Sequence, residues 1–264
     1  MTEEKYGKVI VQTALKTILF VVGFVCLFLS YIFVLSPETL SSFYSNMKMG
    51  RAEIASYEQV YKKTQSNSDL YNLIQKCLEK ENYQKSKTYI YELLEKESYD
   101  EFADKVNKLS LDNVEPKDAA HVVDLDTYLY TKLLECEYRL GNKTKAKKMA
   151  LDDLNQTDNK YMFLFGVYYD EVLTDLSLTV AEAQRHLTDI FDTDGVKQKI
   201  DAKIEACDYT IETDTKLKAA TLYTKMKIMN YKRNILRFKG EDVKVDTMTS
   251  EINSLNSIYE DLIA

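Results

Sequence analysis

Two histidines, four cysteines and one run of eight cations are the residues whose types invite chemistry. Neither His121 nor His186 sits in an HExxH spacing or beside a glycine-framed serine, and no GxxxxGK[ST] loop exists. Asp124 and Asp126 follow His121 closely enough to bind a metal loosely, but many helix termini carry such a set. Cys26 lies inside an apolar segment, while Cys77, Cys136 and Cys207 are far apart with no CxxC pair. A Cys77–Cys136 bridge requires an oxidising compartment and leaves one thiol over; small buried side chains in helices are the simpler reading. The spacing thus supports no catalytic residue, no cofactor and no metal site, and the expectation is a protein that is not an enzyme.

The cations are more suggestive. Residues 215–240 hold Lys216, Lys218, Lys225, Lys227, Lys232, Arg233, Arg237 and Lys239 and no acid. Lys218, Lys225, Lys232 and Lys239 recur every seven positions and so share one face of a helix. With Arg233 they could contact an anionic partner: a phosphate-bearing polymer, a lipid headgroup or an acidic protein. The alternative is pairing with Asp201, Glu205, Asp208 and Glu212 of the helix before it. Tyrosine is the second excess, with 20 in the chain and none of its aromatic work shared by tryptophan. On the inner face of a helical array tyrosines suit peptide capture, and elsewhere they fill core.

The elements that position these residues are helices. Only two prolines and seven glycines punctuate 264 residues, too few for strands and tight turns. Thr179 and Glu182 form a capping-box pattern for a helix over 180–192, and Ser98 with Glu101 forms another. A strongly apolar stretch predicts a helix over 160–176; further helices follow over 195–211 and 215–239, the last ended by Gly240. Over 243–263, Val245, Met248, Ile252, Leu255, Tyr259 and Leu262 alternate three- and four-residue steps, a narrow seam. That seam closes the domain as a terminal cap on the preceding helix, or joins two copies as a homodimer.

One segment is different in kind. Residues 17–35 carry no charged side chain, and a helix of that length rises about 28 Å, the thickness of the bilayer's hydrocarbon core. The run is too long for a signal peptide, and Ser36 with Pro37 reads as the start of a new helix rather than a cleavage site. The expected layout is a short segment 1–16, a single transmembrane helix 17–35 and a water-soluble all-α domain 36–264. Lys5, Lys8 and Lys16 precede the span, and no cation follows until Lys48. The positive-inside rule then places the amino terminus in the cytoplasm and the large domain outside the cell membrane. The net charge is −7, of which residues 1–16 contribute +1, leaving the domain acidic and nucleic acid an unexpected partner.

Three windows of the domain align: 47–64, 77–96 and 137–156. In each, a turn residue is followed five positions later by a small one: Gly50 and Ala55, Glu81 and Ser86, Gly141 and Ala146. A stripe continues each second helix, as Tyr57 and Tyr61, Tyr89 and Leu93, Met149 and Leu154. The small residue lets two helix backbones approach, and the stripe fills the seam between stacked pairs. This pattern resembles the tetratricopeptide repeat over about 41–156, with a degenerate helical part over 157–264; the repeat's usual tryptophan and closing proline are missing. A generic antiparallel bundle is the competing arrangement. The resemblance implies an α-solenoid of stacked hairpins and a scaffold or adaptor that binds a protein or peptide at the membrane surface. Proteins of similar layout usually assist assembly or quality control of envelope proteins. A sensor, or a module for anionic polymers or lipid headgroups built on 215–240, is the alternative. Two sequons, at Asn142 and Asn155, matter only for a luminal domain in a eukaryotic host.

The orientation is testable with the cysteines. In intact cells, after the fold is loosened, a membrane-impermeant thiol reagent should label Cys77, Cys136 and Cys207 before lysis. Protection of all three until lysis would reverse the topology.

Overall fold

The computed structural model describes residues 21–25, 30, 50–115, 118, 124–156, 159–193 and 195–264. All its regular elements are helical. The expected span 17–35 falls largely outside the described residues, as do the proposed helix start at Ser36 and His121. Inside it, 21–25 and Ser30 are helical, and Val21, Val22, Phe24 and Val25 are exposed. No helix among the described residues is long and apolar enough to cross a membrane. The chain divides into two compact units, 1–82 and 83–264.

The first unit contains α1 (Gly50–Thr64) and α2 (Asn67–Glu79), packed as a hairpin. Gln65 turns the chain with a left-handed backbone, and the Ser66 hydroxyl caps α2 by accepting the Asp69 N–H at 3.1 Å. Leu70, Leu73, Ile74 and Cys77 recur on one face of α2 and are wholly buried. Glu53 of α1 is buried as well. Its carboxylate takes Lys76 at 3.0 Å and Lys80 at 3.1 Å, both from the α2 side.

The second unit contains α3 (Tyr83–Leu94), α4 (Tyr99–Asp112), α5 (Leu125–Arg139), α6 (Lys143–Asp153), α7 (Leu164–Thr174), α8 (Val180–Phe191) and α9 (Val196–Ala206). A 3-10 turn (Tyr209–Ile211) then leads to α10 (Thr215–Phe238) and α11 (Asp242–Ile263). Sequential neighbours pack: α5 with α6, α6 with α7, α7 with α8 and, most extensively, α10 with α11. The long α10 also runs against α7, α8, α9 and the 3-10 turn. A strict array in which each pair meets only its neighbours does not describe this half of the unit. The seam of α11 packs on α10 as the terminal-cap reading expects, with Val245, Ile252 and Leu255 buried and Met248, Tyr259 and Leu262 beside them.

Helices end in a recurring way. After α2, α5 and α10, an N–H bonds the carbonyl three residues back, and the next N–H bonds the one five back. The pairs are Glu81 to Leu78 and Asn82 to Cys77, Gly141 to Tyr138 and Asn142 to Glu137, Gly240 to Arg237 and Glu241 to Leu236. These are Schellman closures around a left-handed residue, with φ of 53° at Glu81, 83° at Gly141 and 70° at Gly240. The residue five positions on is buried each time: Ser86, Ala146 and Val245. The window at Gly50 does not share the device. Gly50 is helical, has no left-handed φ, and Ala55 is only half-buried.

Buried charge holds the pairs together. Glu137 on α5 is fully buried; it accepts from Lys145 of α6 at 2.6 Å and Asn142 at 2.7 Å, with Lys87 of α3 at 3.4 Å. Burial works to raise its carboxyl, but the bonds from Lys145 and Asn142 win and hold it below the usual glutamate value of 4.5. Asp153, at the end of α6, meets Lys203 of α9 at 3.3 Å, with both side chains at most 2% exposed. Burial raises the Asp153 carboxyl above its usual range, against the pull of the Lys203 ammonium. Cys77, Cys136 and Cys207 are buried thiols and form no bridge; burial pushes Cys136 up to about 12 and Cys207 to about 11.

The buried charges can be tested one at a time. Asp153→Ala leaves the Lys203 ammonium buried without its partner and should cost about 3–5 kcal/mol in urea unfolding followed by circular dichroism. A loss below about 1 kcal/mol would show that Lys203 finds water on its own. Glu137 is depressed in the fold, so its contribution is complete above the usual glutamate value and disappears as pH falls through its lowered one. Glu137→Gln should therefore lower the melting temperature at neutral pH and flatten its decline in acid; a decline parallel to the parent's would contradict this.

Candidate peptide groove

One face of α10 carries Tyr223, Lys227, Asn230, Tyr231 and Asn234, at steps that keep them on one side of a helix. Facing it, α11 carries Ile252, Asn253, Asn256 and Tyr259. Between them lies an open recess of about 510 Å³, floored by the buried Met226 and Ile252. A second recess of about 250 Å³ shares Tyr223 and Lys227 and extends along α5 and α7, over Thr127, Tyr128, Thr131, Phe163 and Val167. The two adjoin at Tyr223 and Lys227, and together they are the candidate groove, lined from α5, α7, α10 and α11.

Each wall has a structural cause. Asn159 accepts the N–H groups of Tyr161 at 3.0 Å and Met162 at 3.2 Å, curling the chain before α7. The Asp153 carboxylate accepts the Leu164 N–H at 2.9 Å and so opens α7. This is why α7 starts at Leu164 and not near 160, as the apolar run predicts. Phe163 then lies tilted against Tyr231 with ring centroids 5.8 Å apart, and Tyr231 also meets Tyr169 edge-on at 5.1 Å. A glycine makes the fit: a methyl at Gly166 would come within 2.8 Å of both the Phe163 and Tyr231 rings. The Tyr231 hydroxyl donates to Asp170, whose carboxyl is raised by burial against the pull of Tyr231 and Lys227. The rings of Tyr223 and Tyr259 lie 6.1 Å apart across the α10–α11 recess.

The chemistry of the lining suits an extended polypeptide. A side-chain amide offers a donor and an acceptor, the same pair as a peptide bond. Asn230 spends an N–H on the Met226 carbonyl at 2.9 Å and Asn256 on Glu260 at 2.7 Å, which leaves each amide with further bonding capacity. The Asn253 side chain, beside them in the lining, makes no hydrogen bond to any described residue. Lys227, exposed, makes no ion pair among the described residues, which leaves one positive charge at the junction of the two recesses.

The cationic face singled out by its seven-residue spacing lies elsewhere on α10. Lys232 pairs with Asp201 of α9, and Lys239 pairs with Asp192 after α8 and with Glu241 at 3.3 Å. Lys225 acts on Asp208, while Glu212 takes Lys160 instead of an α10 cation. Lys218 is half-buried, and the Arg233 Nε is buried with no hydrogen-bond partner among the described residues. The structure thus brings Lys225, Lys232 and Lys239 to the acids of the neighbouring helices. Of the tyrosine pairs, Tyr168 and Tyr169 are core, whereas Tyr128 lines the groove. Sequence reasoning passed over the asparagines; their signal was two amide pairs, at i,i+4 and i,i+3, on helices joined at Gly240. Among the described residues no group of three His, Cys, Asp or Glu side chains is placed to hold a metal ion.

Comparison with known proteins assigns no family: no family model, no curated protein and no solved structure matches the chain.

Proposed function

We propose that this chain is a single-pass membrane-anchored helical scaffold of tetratricopeptide-like pairs that holds an extended segment of another protein in the α5–α7–α10–α11 groove. The observation that carries the reading is the groove's lining: amides on two facing helices, tyrosine walls and Lys227, which makes no ion pair among the described residues. Amides match a guest's main chain at any sequence, and the rings cover its side chains with little entropy to lose. Lys227 adds a preference for an acidic residue at one position. The apolar segment 17–35 supports the anchor, and Lys5, Lys8 and Lys16 support a cytoplasmic amino terminus with the domain outside the cell membrane. Anchoring keeps the groove at the membrane surface, where a tethered partner is met at high effective concentration.

The alternative, an anionic polymer or headgroup on 215–240, is weakened by Lys232 and Lys239, which would have to leave Asp201 and Asp192 to serve it. The two readings separate in one experiment. The full chain in detergent is presented with a library of random linear peptides, and bound sequences are compared with those of Asn253→Ala/Asn256→Ala and Lys227→Glu variants. The expected result is enrichment of acid-bearing peptides, about tenfold weaker binding after loss of both amides, and a switch away from acidic residues in Lys227→Glu. Binding that ignores all three groove substitutions and collapses on adding salt would instead favour the cationic face.

A further inference from the structure

The connection between α7 and α8 presents apolar side chains to solvent on a rigid mount. Leu176 is fully exposed, Val180 is 70% exposed and Leu173 is 37% exposed. The turn beneath them is clamped. Asp175 accepts the Ser177 N–H at 2.9 Å, the Ser177 hydroxyl at 2.6 Å and the Tyr138 hydroxyl at 2.8 Å, and it also pairs with Lys143. Thr179 and Glu182 then close a complete capping box at the start of α8. A single exposed leucine needs no explanation. Here three exposed apolar groups lie in and beside a turn held by side-chain hydrogen bonds, and they form an apolar tip.

Beside the tip, α6 and α8 border an open recess of about 530 Å³ that includes Lys143, Lys147, Arg185 and His186. Its one acid, Glu182, accepts the Thr179 N–H at 2.8 Å and is also acted on by Arg185, while Asp175 beside the recess pairs with Lys143. Asp189 acts on His186 from the next turn of α8. Lys147 and Arg185 make no ion pair with any described residue. His186 bonds the Tyr168 hydroxyl at 2.8 Å; burial and then the Lys147 charge hold it below its usual value, so at neutral pH it adds no charge. The lining itself carries three cations, Lys143, Lys147 and Arg185, against one carboxylate, Glu182, next to the apolar tip.

We propose that this face docks on an anionic bilayer surface, with Leu176, flanked by Leu173 and Val180, entering the interface while Lys147 and Arg185 take the phosphate of an acidic lipid headgroup. The combination is what a bilayer selects: a small apolar projection at acyl depth and cations at headgroup level. A tip of three side chains covers too little area for a stable protein interface, which requires on the order of 1,000 Å². The inference rests on the membrane anchor of the proposed function and concerns a different surface from the peptide groove.

The chain has no tryptophan, so Leu176→Trp places a single fluorescent reporter at the tip of the full-length protein. A matching control is Val243→Trp, at a position 81% exposed near the other end of α8, where Lys239 pairs with Asp192. Both variants are added to vesicles of zwitterionic lipid alone or with phosphatidylglycerol, each containing brominated acyl chains. Flotation reads the anchor; quenching reads the face. The expected result is strong quenching of the L176W variant, more in anionic vesicles than in zwitterionic ones, with the V243W variant unquenched in both. Adding Lys147→Ala or Arg185→Ala to L176W should lower the docked-to-undocked ratio about fivefold, the worth of one cation at an anionic leaflet. Flotation without quenching of L176W overturns this proposal and leaves the anchor standing, as does equal quenching of the two variants. Failure to float or quench overturns both. Shielding of the L176W indole from aqueous iodide without bromolipid quenching would mean a protein covers the tip, a second copy included, and also overturns it.

Discussion

Between α6 and α9 an ammonium and a carboxylate lie together in the interior, and the shape of the surface above depends on them. Lys203 meets Asp153 at 3.3 Å and also donates to the backbone carbonyls of Met162 at 3.1 Å and Asn159 at 3.4 Å. The other Asp153 oxygen holds the first N–H of α7. Two buried charges thereby fix where α6 stops, how 159–163 is folded and where α7 begins. Asn159 extends the linkage to α5 through Thr127 at 3.0 Å. Removing two ions from water is expensive, and an apolar pair of the same volume often serves stability as well. What the pair adds here is position: it aims Tyr161 and Phe163 at α10, and Phe163 against Gly166 and Tyr231 forms one wall of the groove.

Hydroxyl-to-carboxylate bonds repeat this logic at lower cost. Tyr99 donates to Asp126 between α4 and α5, Tyr138 to Asp175 between α5 and the turn after α7, and Tyr231 to Asp170 between α10 and α7. Burial first, then the facing carboxylate, pushes each phenol above its ordinary range, so the hydroxyl stays a donor. In a chain without tryptophan, tyrosine both fills the helix seams and fixes their register.

The local devices were legible in the sequence. The Thr179–Glu182 capping box, the glycine closures at 141 and 240 and the apolar seam of α11 each depend on residues within a few positions of one another. Similar spacing misled where the deciding partner was remote. Ser98 stands at the N-cap of α4, yet its side chain makes no cap bond. Gly50 looks like the turn residues at 81 and 141 but has a helical backbone with no left-handed φ. The apolar run from 160 starts its helix only at Leu164, because Asp153 and Lys203, distant in sequence, claim the backbone before it. The groove was hidden for the same reason, since its lining comes from four helices spread over more than a hundred residues.

The position of α10 explains why the most uneven charge in the sequence and the most suggestive surface in the structure are separate. A helix packed against α7, α8, α9 and α11 has little free circumference. Its cations at 225, 232 and 239 turn toward the acids of α8, α9 and the following turn, where Asp201 and Asp192 meet them. A seven-residue repeat of lysines on such a helix therefore reports which side faces acidic neighbours. The side left to α11 carries tyrosine and asparagine, groups that stay neutral when half-buried and can still hydrogen-bond. Lys227 sits on that side and acts on Asp170 only through space, since that carboxylate is already bonded by Tyr231. In a domain whose charge is otherwise acidic, a cation without an ion pair among the described residues, at the junction of two recesses, is on the proposed reading where a guest's carboxylate belongs.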